Sequence, residues 1–287
     1  MDPDGRDCRL DFRVSQFRLK PLRHEVACQR AAPYGVTQFS TSIVDVRAGQ
    51  LLDVVLGRGG AEPAAWLRSR SEDFRSSIRY GTLDLSGAYR AVFEEVLPDA
   101  VLVADPFHVV KLANERLDDC RRRVQNDVLG HRGRKGDPLY RCRRLLTRAD
   151  ERLSDKGRTK LVGLLRAGDP HGEVATAWHA KEAVRELYAH HDEALALEWL
   201  DLSEDMKDKD QPLEVQALGR TLERWRRPIT AWHGCLFTNG PTEAINNLIK
   251  RVKRVAFGFR RFAHYRVRAL LYAGKPDWSL LEVISPV

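Results

Sequence analysis

Asp84 closes a strand-forming run, IRYGTLD, and Glu243 opens a late helical run, NGPTEAINNLIKRVKR, 159 residues further on. At helical spacing Glu243 shares a face with Asn247, Lys250 and Arg254, while Ile245, Leu248, Ile249, Val252 and Val255 form the opposite, apolar face. Carboxylates drawn together at a sheet edge repel one another unless a cation neutralises them, and hard oxygen ligands suit Mg2+ or Mn2+. A pair of such ions about 4 Å apart activates a water or a 3′-hydroxyl on one side and stabilises the leaving oxygen on the other, which is phosphodiester chemistry. A lone carboxylate at a strand end is more often a helix cap or an ion-pair partner, so the spacing alone is suggestive and the fold has to assemble the constellation.

The charge around Glu243 points the same way. The 287 residues carry a formal net charge of +8, unevenly spread. Residues 244–276 hold nine Lys or Arg and no acid, residues 111–160 hold sixteen against eight acids, and the other 204 residues sum to −9. A stretch of like charge repels itself unless a polyanion lies near, and nucleic-acid phosphate is the commonest one. The 111–160 patch reads equally well as a solvated helix surface, because Asp118, Asp119, Asp150 and Glu151 can pair with arginines at helical spacing. Phe257 and Phe259 lie amid the arginines of VAFGFRRF, where an aromatic either stacks on an unpaired base or packs against the sheet.

With 43% hydrophobic and 31% charged residues, the composition is that of a folded chain, neither disordered nor collagen-like. No run of about 18 apolar residues is present to span a bilayer, and the first residues lack the basic-then-apolar pattern of a secretory leader. A cytoplasmic protein with no membrane partner is expected. The five cysteines (Cys8, Cys28, Cys120, Cys142, Cys235) are odd in number and never spaced C-x-x-C, so free thiols are expected rather than a disulfide framework or a zinc ribbon.

Several elements must position the acids. Residues 37–55 predict a hairpin turning at residues 47–49, followed by a short helix over 63–70. Residues 78–84 predict a strand, and Ser86 caps a helix carrying Tyr89, Val92, Phe93, Val96 and Leu97 until Pro98 stops it. The run AVLVA, residues 100–104, reads as a strand covered on both faces and ends on Asp105. A right-handed crossover makes these last two strands parallel and sets Asp84 and Asp105 at one C-terminal sheet edge, where α/β folds hold ligands. From 109 to 232 apolar residues recur at three and four, an all-helical block broken at GHRGRKGDP, AGDPHGE and MKDKDQP. There is no internal repeat, no Walker-type glycine loop and no serine or cysteine nucleophile motif.

The segments YGTLDLSGAYRAVFEEVLPDAVLVADPFHVVKLAN, LGHRGRKGDPLYRCRRLL and NGPTEAINNLIKRVKRVAFGFRRFAHYRVRALLYAG closely resemble the DDE domain of the ISL-three family of insertion-sequence transposases, over residues 40–278. The resemblance implies an RNase H-like mixed α/β sheet with a large helical insertion before the last catalytic helix. It divides the chain into 1–108 as the first part of the catalytic core, with 1–36 atypical, 109–232 as the insertion, and 233–287 as the rest of the core with a basic DNA-binding helix. Asp84 matches the family's second catalytic acid and Glu243 its third, both ligands of a two-metal Mg2+ or Mn2+ centre. Asp105 and His108, in DPFH, resemble the C/D-x-x-H motif of Mutator-like relatives, beside the active site. Lys250, Arg251, Lys253, Arg254, Arg260 and Arg261 are implied to contact the DNA of element ends and target, with a homo-oligomer as the active form. The family's first acid lies in a G-x-D-E motif that this chain lacks. Asp11, in CRLDFRV, is the candidate for that position and Asp45 the alternative. The N-terminal zinc-binding and helix-turn-helix region is not evident either, so an N-terminally truncated copy is expected, with a catalytically inactive DNA-binding remnant as the alternative.

Overall fold

The computed structural model describes residues 10–18, 39–257, 259 and 261–277, with the backbone alone for 10–18 and for Leu202. The β-branched runs either side of a four-residue turn fold back on each other, as such runs do. They give β2 (Phe39–Asp45) and β3 (Gln50–Leu56), preceded by β1 (Leu10–Arg18). Next come α1 (Ala61–Arg68), α2 (Glu72–Ser76), β4 (Ile78–Leu83), α3 (Gly87–Val96) and β5 (Val101–Ala104). The helical run holds α4 (Pro106–Leu129), α5 (Pro138–Leu146), α6 (Asp155–Gly168), α7 (Glu173–Leu187), α8 (Glu193–Leu202), α9 (Leu213–Arg224) and α10 (Arg226–Cys235). Two more helices follow, α11 (Gly240–Val255) and α12 (Phe262–Ala273). The chain is thus a mixed α/β protein, mostly helical, with a five-stranded sheet. None of the described helices is long and apolar enough to cross a membrane.

The strands lie in the order β3-β2-β1-β4-β5. The first three form an antiparallel meander, and β1 then pairs in parallel with β4. Contacts divide the chain into two compact units, residues 1–103 with 237–287, and residues 104–236.

In the first unit α11 and α12 cover the sheet with a single apolar cluster, Ile245, Ile249, Tyr265, Ala269 and Ala273 against Val44, Leu51 and Val54. Gly81 interrupts β4 for a packing reason: a Cβ there would lie 2.4 Å from the Phe93 ring of α3, so only glycine admits that ring. Two local expectations fail. Ser86 stands at the N-cap of α3, but its hydroxyl makes no capping bond. β5 is not covered on both faces, since Val101 is 43% exposed and only Val103 and Ala104 are buried. Its place at the end of the strand order explains this, because an edge strand has one neighbour and a short apolar run reads the same in either setting.

In the second unit α4 buries Val109, Ala113, Leu117, Cys120 and Val124, a stripe at helical spacing, and packs on α7 and α9. Arg123 ties the three together. Its Nε donates to Glu214 Oε1 at 2.8 Å and its Nη2 to Glu214 Oε2 at 3.0 Å and Glu173 Oε2 at 2.5 Å. Burial works to raise the Glu214 pKa, and the Arg123 guanidinium outweighs it and holds the carboxyl below its usual value. We expect Arg123→Ala to cost about 2 kcal/mol in denaturant unfolding, because two neighbouring carboxylates lose their donor while remaining partly solvated. A loss under about 0.5 kcal/mol would mean that solvent screens the pairs completely. Cys120 and Cys142 are buried free thiols, and Cys8 and Cys28 lie outside the described residues.

Candidate active site

β4 ends at Leu83, and Asp84 follows in a tight turn in which the Ser86 amide donates to the Asp84 carbonyl. Asp84 is half-buried. The segment that opens α11 meets it from the other end of the chain. The Phe237 ring sits 5.2 Å from that of Tyr80 on β4, and the buried Asn239 directs its Nδ2 to Asp84 Oδ1 at 3.5 Å. Asn239 is also the N-cap of α11, and its carbonyl accepts from the Glu243 amide at 3.0 Å. Asn239 therefore touches both segments: its side chain reaches Asp84, and its backbone starts the turn that carries Glu243. Thr242, Ile245 and Ile249 are buried while Glu243 is exposed, so the helix seats its apolar face and leaves Glu243 open to solvent.

Tyr89, placed by its spacing on the apolar face of α3, lies close enough to feel the charge of Asp84. The Tyr89 hydroxyl of α3 and the Thr41 hydroxyl of β2 lie 3.3 Å apart, and Thr41 donates to the Gly57 carbonyl at 3.2 Å. Burial raises the Tyr89 pKa, Thr41 counters it, and the charges of Asp84 and Glu62 add to the rise. Asn239 had a signal in the sequence in its place four residues before Glu243, at the mouth of a Pro-started helix, while Thr41 had none.

The two candidates for a first acid are placed elsewhere. Asp11 pairs by register with Tyr80, four residues before Asp84, roughly 13 Å along the strand at the usual rise. Asp45 lies opposite Phe12, towards the same far end, and its Oδ1 accepts from the amides of Arg47 and Ala48 at 2.9 and 3.0 Å. That carboxylate shapes the hairpin turn. Asp105 and His108 belong to the helical unit, at the start of α4. Asp105 is 2% exposed, His108 Nε2 lies 3.9 Å from its Oδ2, and its charge adds to the burial that pushes the Tyr188 hydroxyl pKa upward. Among the described residues no three His, Cys, Asp or Glu side chains are grouped closely enough to hold a metal ion.

The basic stretch divides by role. Lys250, Arg251, Arg254 and Arg261 are exposed and Lys253 is half-buried, while Arg260 lies outside the described residues. Arg266 forms a bidentate pair with the buried Asp53 of β3, Lys275 donates to the Ala48 carbonyl, and Arg268 stacks over Phe259. A run without acids is therefore partly neutralised by an acid 213 residues away in sequence.

The family model described as Transposase, that of the ISL-three DDE type, matches residues 25–269. The chain belongs to the ISL-three family of insertion-sequence transposases. Similar relatives are the transposase for insertion sequence element IS1557 of Mycobacterium tuberculosis, 28% identical over 246 residues, and that for IS1001 of Bordetella parapertussis, 25% identical over 228 residues. Each match covers 78% of this chain and 54% of the relative, so the chain spans about half the length of these family members. No solved structure matches it.

Proposed function

We propose that the chain carries the catalytic core of a DDE transposase, cutting and joining the DNA ends of an insertion sequence with Mg2+ or Mn2+, as a homo-oligomer in the cytoplasm. The contact between Asn239 and Asp84 carries this reading, because it brings the segment that opens the helix of Glu243 against the strand end that carries Asp84, 159 residues earlier. An antiparallel meander followed by a parallel strand in the order β3-β2-β1-β4-β5 supports an RNase H-like core, and the helical unit between β5 and α11 supports its reading as an insertion.

The donor chemistry suits a hard divalent ion. Mg2+ keeps several waters and is usually held by one or two carboxylates together with substrate phosphate, so Asp84 and Glu243 suffice without a closed protein cage. When bound, such ions activate the attacking oxygen and stabilise the leaving one. Asn239 donates to Asp84 at 3.5 Å and so helps to orient it, and the exposed Glu243 leaves room for a phosphate. Lys250, Arg251, Arg254 and Arg261 hold the DNA backbone beside it, with Lys253 and Arg260 in the same basic stretch. Asp45 has no part in this reading, since its carboxylate is occupied in the turn.

Two measurements test it. Mg2+-dependent cleavage and joining of duplexes carrying the sequences that flank the encoding element should be detected with the full chain. Its absence in both Mg2+ and Mn2+, with DNA binding intact, would leave a binding protein only. For the basic helix, Arg251→Ala with Arg254→Ala is expected to weaken DNA binding regardless of sequence. It should also flatten the plot of log affinity against log salt by about 2, roughly 0.9 per phosphate contact. An unchanged slope would remove these two arginines from the interface.

A further inference from the structure

The loop that leaves α11 carries an aromatic where helices usually carry glycine. α11 ends at Val255 and is capped by Ala256, whose amide donates to the Val252 carbonyl. Phe257 follows with φ of 52°, its amide donating to the Arg254 carbonyl at 3.2 Å. The left-handed position after a helix is normally glycine because a side chain there is strained, and in this chain the glycine comes one residue later. Packing does not repay the strain. The Phe257 ring is 100% exposed, more than any other large apolar side chain among the described residues, and Val255 before it is 77% exposed.

Phe259 behaves in the opposite way. Its ring lies 5.3 Å from that of Tyr265, the Arg268 guanidinium covers it at 5.5 Å, and it packs on the cluster between the sheet and α11 and α12. Of two aromatics in one short loop, one anchors and the other is presented. The presented one stands between the exposed cations Arg251 and Arg254 on one side and Arg261 on the other, within 33 residues that hold no acid. Such a surface repels basic partners and attracts polyanions. A polyanion that also offers flat faces for an aromatic is a nucleic-acid strand, and those faces are reachable where bases are unpaired.

We propose that Phe257 stacks on an unpaired base of a DNA strand whose phosphates are held by Arg251 and Arg254. The inference rests on the DNA reading above and adds to it a contact with a base rather than the backbone. Strained backbone of this kind collects where a ligand contact is pre-organised.

The test uses the full chain, a short single-stranded oligodeoxynucleotide carrying 2-aminopurine, and the matching duplex. Phe257→Ala is expected to weaken single-strand binding about 5- to 150-fold, the range for loss of one stacked base, and to abolish 2-aminopurine quenching. Duplex affinity should stay within about twofold, because the backbone contacts remain. Phe257→Trp should keep both signals, while Phe257→Leu, which retains apolar bulk without a π-face, should behave as the alanine variant. Phe257→Gly should raise the melting temperature and still lose quenching, separating strain from stacking. A Phe257→Ala variant matching the wild type in single-strand affinity and quenching overturns the stacking contact and leaves the DNA reading standing. So does a Phe257→Leu variant that matches it. A wild-type chain that binds neither probe overturns both.

Discussion

Asp84→Asn is expected to lower metal-dependent cleavage on the order of 1,000-fold, and Glu243→Gln by a similar factor. Each exchange keeps the shape of the side chain and removes the charge that holds a divalent ion, and loss of about 4 kcal/mol of transition-state stabilisation corresponds to that factor. Folding should be unaffected by Glu243→Gln, since the carboxylate is exposed. Calorimetric titration with Mn2+ supplies a readout independent of turnover: both variants should bind the ion more weakly than the wild type. Asn239→Ala should raise the Mg2+ concentration needed for half-maximal cleavage, because it frees Asp84 without removing it. Asp45→Asn should leave cleavage unchanged. Cleavage that persists in Asp84→Asn would end the assignment of that residue.

Asp53→Ala is expected to destabilise the chain by about 3 kcal/mol, the largest structural effect we anticipate from one substitution. Asp53 is 4% exposed and accepts from the Val54 amide at 2.6 Å, Trp66 Nε1 at 2.7 Å and the two ends of the Arg266 guanidinium at 2.6 and 2.7 Å. Removing the acceptor leaves these donors unmatched beside the apolar cluster that seats α12, which is more costly than losing an exposed pair. The melting temperature should fall by about 6–12 °C for a chain of this size. Burial alone would raise the Asp53 pKa, but Arg266, Trp66 and the Val54 amide outweigh it and hold the carboxyl below its ordinary value. The stability it supplies is therefore complete above the unfolded pKa, near 4, and drains away as the pH falls through the lower folded value. Plotted against pH, the difference between wild type and Asp53→Ala should be flat from about 5 to 7 and shrink below about 4. A difference that stays constant into acid would show the carboxylate to be ordinary in the folded chain.

The strand that stops before Asp84 and the helix that carries Glu243 were legible in the sequence because local patterns announce them. A β-branched run stops at Asp84, and Pro241 and the apolar face of α11 frame Glu243. The hairpin and the helical breaks were legible for the same reason, as glycine and proline act on their immediate neighbours. What stayed hidden depends on partners far along the chain. Asn239 reaches Asp84 across 155 residues, and Asp53 reaches Arg266 across 213. No periodicity encodes such pairs, so a basic stretch looked uncompensated when part of it was already matched. Asp45 illustrates the converse. It was the alternative for the family's first acid, and its Oδ1 accepts from the backbone amides two and three residues on, a local bond that residue type alone does not announce.

The sheet and the helices that cover it are synthesised far apart in time. The first unit is interrupted by residues 104–236, so Val44, Leu51 and Val54 leave the ribosome well before Ile245, Ile249 and Tyr265 exist to cover them. At about 5–20 residues per second the 133 intervening residues take roughly 7–27 s to translate. Through that interval the nascent β-meander presents an uncovered greasy face, which makes it a natural client for a chaperone and a natural point of failure. A message cut short within the helical stretch would release a fragment fated to aggregate.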